Sequence, residues 1–257
     1  MSTDPVSPDG APGYTHILMQ EIWPRVRKHT PNGVRSKPAA TLILIDRSGK
    51  EPKVLMGRRN PGNKFMPDKF VFPGGQLDNE DRLMPAAGVL ADPVEQRLGH
   101  IRGRRNARAI AMAGIRETFE ETGLIIGAPS EGEPIEAPPG GWSEFAEHGL
   151  LPNLEAIHFV GRAITPPRLP RRFDTIFLAA EATDVVKSVD GTIGPDKELV
   201  ELAWIPMSEV HRMPEVATIT GVVLRELQNR LKAGFSHMLP VPWYRVRHPV
   251  GWERIEM

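Results

Sequence analysis

The sequence predicts an α/β (α+β) fold in one domain, and three observations support this prediction. The β-branched run Thr41–Ile45 is typical of a buried strand. Between Ala107 and Thr122 the apolar residues recur at spacings of three and four, the period of a helix that packs on one side. Segments of both kinds follow one another with no internal repeat and no linker between two cores, so we expect strands and helices to share one core.

The composition excludes several classes of function. The chain has 257 residues, with 32 Lys and Arg against 32 Asp and Glu, and it contains no cysteine. The absence of thiols excludes disulfides, cysteine nucleophiles and thiolate zinc sites, and it fits a reducing cytoplasm. Zero net charge argues against a chain-wide surface for nucleic acid or membrane, and no uncharged stretch approaches the ~18 residues of a membrane span. We therefore predict a cytoplasmic protein with no nucleic-acid or membrane partner.

The N-terminal part is predicted as a disordered lead followed by strands. Residues 1–13 contain several Pro and Gly residues and no apolar cluster, so we expect no packed structure there. Residues 14–257 are expected to form the single domain. After the first strand, a turn at Ser48-Gly49 leads to a second strand, Val54–Met56, and this pattern predicts a hairpin.

The middle of the chain is predicted to contain an insert and a helix. A third strand, Phe70–Phe72, stops at Pro73-Gly74-Gly75. Residues 76–106 are rich in Pro, Gly and Arg, and we interpret them as a mixed helical and loop insert outside the core. The helix follows at 107–122, and Gly123 occupies the position that favours a left-handed C-terminal cap. The helix residues expected on the buried face are Met112, Ile115, Phe119 and Thr122.

The C-terminal half is predicted to complete the sheet. Strands are expected at 157–164, 173–180 and 199–205, and an amphipathic helix is expected from about Glu215 to Leu231. The tail at 239–257 contains three prolines, so we expect it to wrap the surface.

Three carboxylates share one face of the predicted helix at 107–122. Glu117, Glu120 and Glu121 stand at i, i+3 and i+4, so they repel one another unless a cation lies between them. Mg²⁺ prefers oxygen ligands and commonly shares them with substrate phosphates. The alternative interpretation is a solvated acidic face on which Arg116 and Glu120 form a surface pair.

The turn after the third strand adds a second feature. Gly74 and Gly75 let the backbone approach a metal or a phosphate closely, although by itself such a turn has no special function. Together, the turn and the carboxylate helix resemble the Nudix hydrolase superfamily, whose box is G-x5-E-x7-R-E-U-x-E-E-x-G-U with U aliphatic.

The resemblance holds at both ends of the box, residues 75–124. Gly75 matches the opening glycine, while Asp81 stands where the family has Glu and Thr118 replaces the aliphatic residue. The second half matches at Arg116, Glu117, Glu120, Glu121, Gly123 and Leu124. Gly75 and Arg116 are 41 positions apart instead of 14, so 27 residues are inserted, at about 82–106.

A long insert in this place resembles the Nudix branch that includes the peroxisomal coenzyme A diphosphatases. The segments that carry this finer resemblance are 70–81, 113–121, 164–167 and 171–178. The resemblance implies a mixed β-sheet sandwiched between helices. It also implies metal-dependent hydrolysis of a diphosphate linkage in a nucleotide-type substrate, with coenzyme A or an acyl-CoA as the leading candidate.

The resemblance also implies roles for residues. Glu117, Glu120 and Glu121 are expected to bind Mg²⁺ or Mn²⁺, with the Gly74 carbonyl as a further ligand. Glu117 or a neighbour would help to deprotonate the water, and Arg116 would orient the glutamates. Glu198 is a candidate for an additional metal carboxylate, with a surface glutamate at a strand edge as the alternative interpretation.

Cationic residues are the candidates for contacts with the substrate. We predict Arg171, Arg172 and Arg58 as substrate-binding residues. The insert arginines, such as Arg97 and Arg108, either hold a remote phosphate or belong to a solvated basic loop. Trp142 either stacks on a base or lies in the core.

Several alternatives stay open at this point. The substrate could be a nucleotide sugar, ADP-ribose or a dinucleotide, and the chain could be a non-catalytic sensor with the same fold. An isomerase of this superfamily with a catalytic cysteine is excluded, since the chain has none. A homodimer is possible.

Overall fold

The computed structural model describes residues 34–63, 66–132, 134–167, 169, 171–210, 212–247 and 251–257, and the structural statements below concern these residues. The lead predicted at 1–13 lies outside them, as do residues 14–33.

Nine of the described strands form one mixed sheet. They are β1 (Lys37–Asp46), β2 (Lys53–Arg59), β3 (Phe70–Val71), β4 (Gly74–Gln76), β7 (His158–Ile164), β8 (Phe173–Glu181), β10 (Leu199–Pro206), β11 (Pro242–Arg247) and β12 (Gly251–Glu256). Their order is β10-β2-β1-β8-β7-β11-β12, with β3 beside β2 and β4 beside β1. The β1–β8 and β7–β11 pairs are parallel and the others are antiparallel.

A second, smaller sheet and five described helices complete the fold. The smaller sheet has the order β6-β5-β9, with β5 at Leu124–Pro129, β6 at Leu150–Pro152 and β9 at Val185–Ser188. The helices are α1 (Asp92–Arg102), α2 (Arg104–Thr122), α3 (Gly141–Ala146), α4 (Met207–Val210) and α5 (Thr218–Lys232), and short 3₁₀ turns cover Glu80–Arg82 and Ala182–Asp184. Among the described helices, none has both the length and the apolar character needed to cross a bilayer.

The main sheet lies between two helical layers because its strands alternate. On β1, Leu42 and Leu44 belong to a core shared with Ile115 and Phe119 of α2. Ile43 and Ile45 point to the other face and share a core with α5. The α5 residues of that core are Val222, Val223, Leu224 and Leu227. The predicted α/β fold, a mixed sheet sandwiched between helices, is confirmed.

The predicted elements around the site are also confirmed. β1 pairs with β2 antiparallel as a hairpin, and the Ser48 amide donates to the Asp46 carboxylate in the intervening turn, at 2.8 Å. Gly123 ends α2 with φ 73°, in the left-handed region. The four residues expected on the buried face of α2, Met112, Ile115, Phe119 and Thr122, are all buried.

Two expectations were wrong. The insert was expected to stay outside the core, but Met84, Leu90, Val94 and Leu98 are buried in the core beneath α2. The tail was expected to wrap the surface, but it forms the β11–β12 hairpin, which extends the sheet from β7. In both segments, apolar side chains among Pro, Gly and Arg provide enough buried surface to outweigh the unfavourable local sequence.

Candidate active site

The two halves of the Nudix-like motif meet where β4 passes in front of α2. β4 lies antiparallel to the start of β1, with Gly75 opposite Ala40. The helix can lie close to the sheet because a Cβ on Gly114 would already contact Leu178 at 3.2 Å. The inserted residues lie between β4 and α2 in the chain. They do not separate the two halves of the Nudix-like motif in space.

Glycines at the turn allow the backbone to approach the carboxylates. A Cβ on Gly75 would overlap with the carboxylate of Glu117. The amide of Gly74 donates to Oε2 of Glu121 at 3.1 Å. The structure therefore brings Gly74 to the carboxylate helix through its N–H group, while the role of its carbonyl as a ligand stays a prediction.

Arg116 is the centre of the carboxylate cluster and is 5% exposed. Its Nη1 donates to Glu117 Oε1 at 2.9 Å and to Glu120 Oε2 at 3.0 Å. Its Nη2 donates to the carbonyl of Gln76 at 3.0 Å. One guanidinium thus ties two carboxylates of α2 to the β4 backbone, which is the orienting geometry expected of it.

Asp81 holds the other side of that guanidinium. It is fully buried and accepts from Arg116 Nε at 2.7 Å and from Arg116 Nη2 at 3.1 Å. Oδ1 also accepts from the indole Nε1 of Trp142 at 3.0 Å, and Oδ2 accepts from the amide of Asp78 at 2.8 Å. The position of Asp81 in the box was the only signal in the sequence for this contact.

Trp142 was considered as a stacking partner for a base, and the structure places it in the core. It is fully buried, and its ring packs edge-on against Phe145 with a centroid distance of 5.4 Å. Its hydrogen bond to Asp81 spans 61 positions and could not be read from the sequence.

Burial raises the pKa values of all three glutamates, and nearby carboxylates add to the rise. Burial raises the pKa of Glu117 to about 7, with Arg116 opposing and Glu120 adding to the rise. Burial raises the pKa of Glu120, again against Arg116. Glu121 has its pKa raised well above the normal value by burial and by the nearby Glu198 and Glu117. The folded protein therefore disfavours the ionised form of these carboxylates when no cation is bound.

The donor set fits a hard divalent cation in its chemistry. Carboxylate oxygens are the ligands that Mg²⁺ and Mn²⁺ prefer, and a cation would remove the repulsion among these groups. Within the described part of the chain, however, no three His, Asp or Glu side chains stand ready to hold an ion. Glu117 and Glu120 each direct one carboxylate oxygen to Arg116, so an ion would bind through the second oxygen of each group.

A pocket of about 390 Å³ opens beside the carboxylates. Glu117 and Glu120 line it together with Asp78, Glu80, Arg116 and the loop residues Pro139, Gly140, Gly141 and Trp142. Four of these side chains are carboxylates and one is a guanidinium. An anionic substrate would be repelled from such a pocket unless a cation accompanies it.

Comparison with known proteins agrees with the motif. No family model matches the chain. Among curated proteins, the acyl-coenzyme A diphosphatase NUDT19 of Homo sapiens is 25% identical over 289 aligned residues, which cover 88% of this chain and 74% of that protein. The chain is thus similar in sequence to a Nudix-type diphosphatase over most of its length.

Two solved Nudix structures give the scale of the structural similarity. A NUDIX hydrolase from Alicyclobacillus acidocaldarius is 25% identical with a TM-score of 0.49, over 81% of this chain and 86% of that chain. The NUDIX domain of Shewanella oneidensis NrtR, in complex with ADP ribose, is 14% identical with a TM-score of 0.44, over 81% of this chain and 97% of that chain.

Strand β2 presents its two arginines, Arg58 and Arg59, to opposite faces of the sheet. Leu55 of β2 belongs to the core on the α2 side and Met56 to the core on the α5 side, so Arg59 faces the site and Arg58 faces away. Arg58 pairs with Asp68 at 2.7 Å and is 41% exposed. The structure therefore does not bring Arg58, a predicted substrate contact, to the Nudix carboxylates.

Arg59, which was not predicted, lies beside them. It pairs with Glu198 at 2.9 Å, and its charge lowers the pKa of Glu121, against the larger effects of burial and of Glu198. Glu198, the candidate for a further metal carboxylate, is accordingly within electrostatic range of Glu121. The alternation of side chains along β2 could have indicated from the sequence that Arg59, rather than Arg58, faces the site.

The loop that carries Glu198 is held by two asparagines. Asn60 Nδ2 donates to the carbonyls of Pro195 at 2.6 Å and Lys197 at 3.1 Å. Asn63 Nδ2 donates to the carbonyl of Glu198 at 3.2 Å. These contacts fix the loop against the end of β2, next to the Nudix helix.

The other predicted substrate residues are not brought to the carboxylates. Arg172 donates to the carbonyls of Thr165 at 3.1 Å and Val34 at 2.7 Å. Arg171 is exposed immediately before β8. Of the insert arginines, Arg97 donates to the carbonyls of His237 and Met238, and Arg108 to that of Met84. Arg97 and Arg108 thus bind backbone carbonyls. They were expected either to hold a remote phosphate or to belong to a solvated basic loop, and the structure shows neither arrangement.

Proposed function

We propose that this chain is a metal-dependent Nudix pyrophosphohydrolase that cleaves a diphosphate linkage in coenzyme A or an acyl-CoA. The observation that carries the proposal is the arrangement at Gly75, where the backbone meets the carboxylates of a complete R-E-x-x-E-E helix. The substrate class rests on the curated relative, which is an acyl-coenzyme A diphosphatase.

Glu117, Glu120 and Glu121 would hold Mg²⁺ or Mn²⁺, with the Gly74 carbonyl and Glu198 as further candidates. When bound, the ion supplies Lewis-acid polarisation of a phosphoryl oxygen and a more acidic water. Burial raises the pKa values of the three glutamates, and a bound cation would favour their ionised form.

The protein's own groups would place the reactants. Arg116 fixes the plane in which Glu117 and Glu120 present their oxygens, since it binds both through one nitrogen. Glu117 is the candidate to accept a proton from the attacking water, because its carboxylate lies against the Gly75 backbone at the edge of the pocket. Arg59 is the cation best placed to attract a phosphate on the site face of β2.

A substrate panel tests this function. The full-length chain is incubated with coenzyme A, an acyl-CoA, ADP-ribose, a nucleotide sugar and a dinucleoside polyphosphate, each with Mg²⁺, Mn²⁺ or EDTA. We expect 3′,5′-ADP and (acyl-)phosphopantetheine by mass spectrometry, with no product in EDTA. Faster cleavage of another member of the panel would replace the substrate and keep the reaction class.

Matched variants separate the enzyme from a contaminant. Glu120→Gln and Glu121→Gln are expected to lose activity. Glu209→Gln changes an exposed glutamate of α4, which packs on the opposite side of the sheet, and should retain it. Equal activity in all three variants would contradict the assignment of the metal helix, and tight binding of a panel compound without turnover would indicate a sensor. A cytoplasmic location and a homodimer stay predictions.

A further inference from the structure

Asp81 is shorter by one methylene than the glutamate of the Nudix box, and both of its carboxylate oxygens are hydrogen-bonded. Its two oxygens accept four hydrogen bonds, two from Arg116, one from the Asp78 amide and one from Trp142. Trp142 comes from outside the box, at the start of α3. A residue beyond the motif therefore takes part in fixing the motif's central arginine.

We propose that Trp142 is a positioning residue, which sets the orientation of Glu117 and Glu120 through Asp81 and Arg116. This inference rests on the proposed metal-dependent function. Four hydrogen bonds link these groups. Trp142 Nε1 donates to Asp81 at 3.0 Å, Arg116 Nε donates to Asp81 at 2.7 Å, and Arg116 Nη1 donates to the two glutamates at 2.9 and 3.0 Å. The first three groups are almost completely buried, so water does not replace a lost contact at low cost.

The indole N–H carries this role rather than the bulk of the ring. A phenylalanine could fill most of the same volume and keep the edge-on contact with Phe145. It could not donate to Oδ1 of Asp81, and that oxygen also receives Arg116 Nε. Loss of the donor removes one of the contacts that hold the Asp81 carboxylate, and with it the guanidinium, in place.

The same element also forms the wall of the pocket. Trp142 follows Gly140 and Gly141, which line the pocket beside Glu120. A Cβ on Gly141 would overlap with the Glu120 carboxylate. The pocket wall at Gly140 and Gly141 is therefore joined to the hydrogen-bond network of the carboxylates. The Trp142–Asp81 hydrogen bond contributes to the position of both.

Replacement of Trp142 by phenylalanine tests the inference. Groups that orient metal ligands typically contribute about 10- to 100-fold to metal affinity or activity. We expect Trp142→Phe to weaken Mn²⁺ binding, measured by electron paramagnetic resonance titration of the free protein, by about 10-fold or more. We expect kcat to fall by a similar factor, with the substrate KM changed far less.

Two further proteins serve as controls. Phe159→Leu removes volume from the same core without touching a polar group, so it should lower the melting temperature and leave Mn²⁺ affinity unchanged. Benzothienylalanine incorporated at position 142 keeps the shape of indole and replaces the N–H by sulfur. It decides the question if the phenylalanine variant fails to fold, because it differs from tryptophan only in the donor.

The outcomes separate this inference from the proposed function. Unchanged Mn²⁺ affinity and kcat in the variants of an active wild type would overturn the role of Trp142 alone. Mn²⁺ binding that depends on Trp142, in a wild type that hydrolyses none of the panel, would support the positioning role and overturn the hydrolase. A wild type that neither binds Mn²⁺ nor hydrolyses any compound would overturn both.

Discussion

Glu121 is the most buried carboxylate of the Nudix helix, at 8% exposure. Burial, together with the nearby Glu198 and Glu117, raises its pKa well above the normal value. Because the folded state disfavours the ionised form, this side chain lowers stability at neutral pH when no cation is bound. The ion-binding role proposed above would account for a carboxylate that packing alone does not favour.

The substitution Glu121→Gln should therefore stabilise the metal-free protein. The amide oxygen can still accept the Gly74 N–H, while the repulsion disappears. We expect the free energy of unfolding in EDTA to rise, measured by urea denaturation. The same variant should lose the stabilisation that Mn²⁺ gives the wild type. A lower stability in EDTA would show that the carboxylate contributes favourably to the fold.

Gly75 gives a second prediction for a single residue. A Cβ there would overlap with the end of the flexible Glu117 side chain, which can move aside with little effect on the fold. We expect Gly75→Ala to remain folded but to lose about 10-fold or more in kcat. Gly49→Ala is the matched control, since a Cβ there meets its nearest atom at 3.8 Å. Equal kcat in the two variants would contradict the role of the close approach.

The sequence predicted the residues of the site better than it predicted their partners. Spacing alone placed Glu117, Glu120 and Glu121 on one face, because a helix repeats every 3.6 residues. The contacts of Asp81 with Arg116 and Trp142 span 35 and 61 positions. No local pattern encodes such distances, so these contacts became visible only in the fold.

At the level of elements, β2 decides which arginine faces the site. Arg59 lies on the α2 side with Glu198, and Arg58 lies on the other face with Asp68. We expect Arg59→Gln to raise the substrate KM and lower kcat/KM by about 10-fold, because Glu121 and Glu198 lose the cation beside them. Arg58→Gln should have a much smaller effect on steady-state kinetics. A larger effect at Arg58 would restore the prediction from sequence and contradict the placement by strand alternation.

Elements with a clear period were predicted well, and mixed segments were not. The strands predicted near 41–45, 157–164 and 173–180 are confirmed. They were predictable because buried strands are short runs of mainly apolar residues. In the tail, Pro242 is the first residue of β11, where the missing N–H is tolerated. α1 begins with Pro93 in its first turn, where proline is also favourable. The prolines that suggested loops thus mark the starts of elements.

At the scale of the whole molecule, His158 joins the sheet to the segment after α5. Its ring on β7 stacks between Phe235 and His237, with centroid distances of 4.0 Å to each. Burial, together with the smaller effects of His237, Arg230 and Arg47, lowers the pKa of His158 to about 4. The ring is therefore neutral in the folded protein at pH values where the unfolded chain is already protonated.

Stability should consequently fall as the pH falls from 6.5 towards 4. In that range the unfolded state binds a proton at His158 that the folded state does not, so unfolding takes up protons. We expect this histidine to account for about 1–2 kcal/mol of the loss, since it is partly exposed. His158→Phe keeps a stacked ring and should give a flatter stability profile by urea denaturation. Profiles of equal slope would contradict the assignment to His158.

The parallel pairing of β1 with β8 has a consequence for biosynthesis. β1 is a central strand, and the contact of Arg172 with the carbonyl of Val34 closes a span of 138 positions. On the ribosome, β1 and the glutamate helix therefore emerge well before the strand that covers one side of β1. Sheets whose paired strands are far apart in sequence form slowly, and their apolar strand edges stay exposed until the partner strand is available. The nascent chain should depend on chaperones until β8 has been made, although the finished fold buries β1 completely along its core residues.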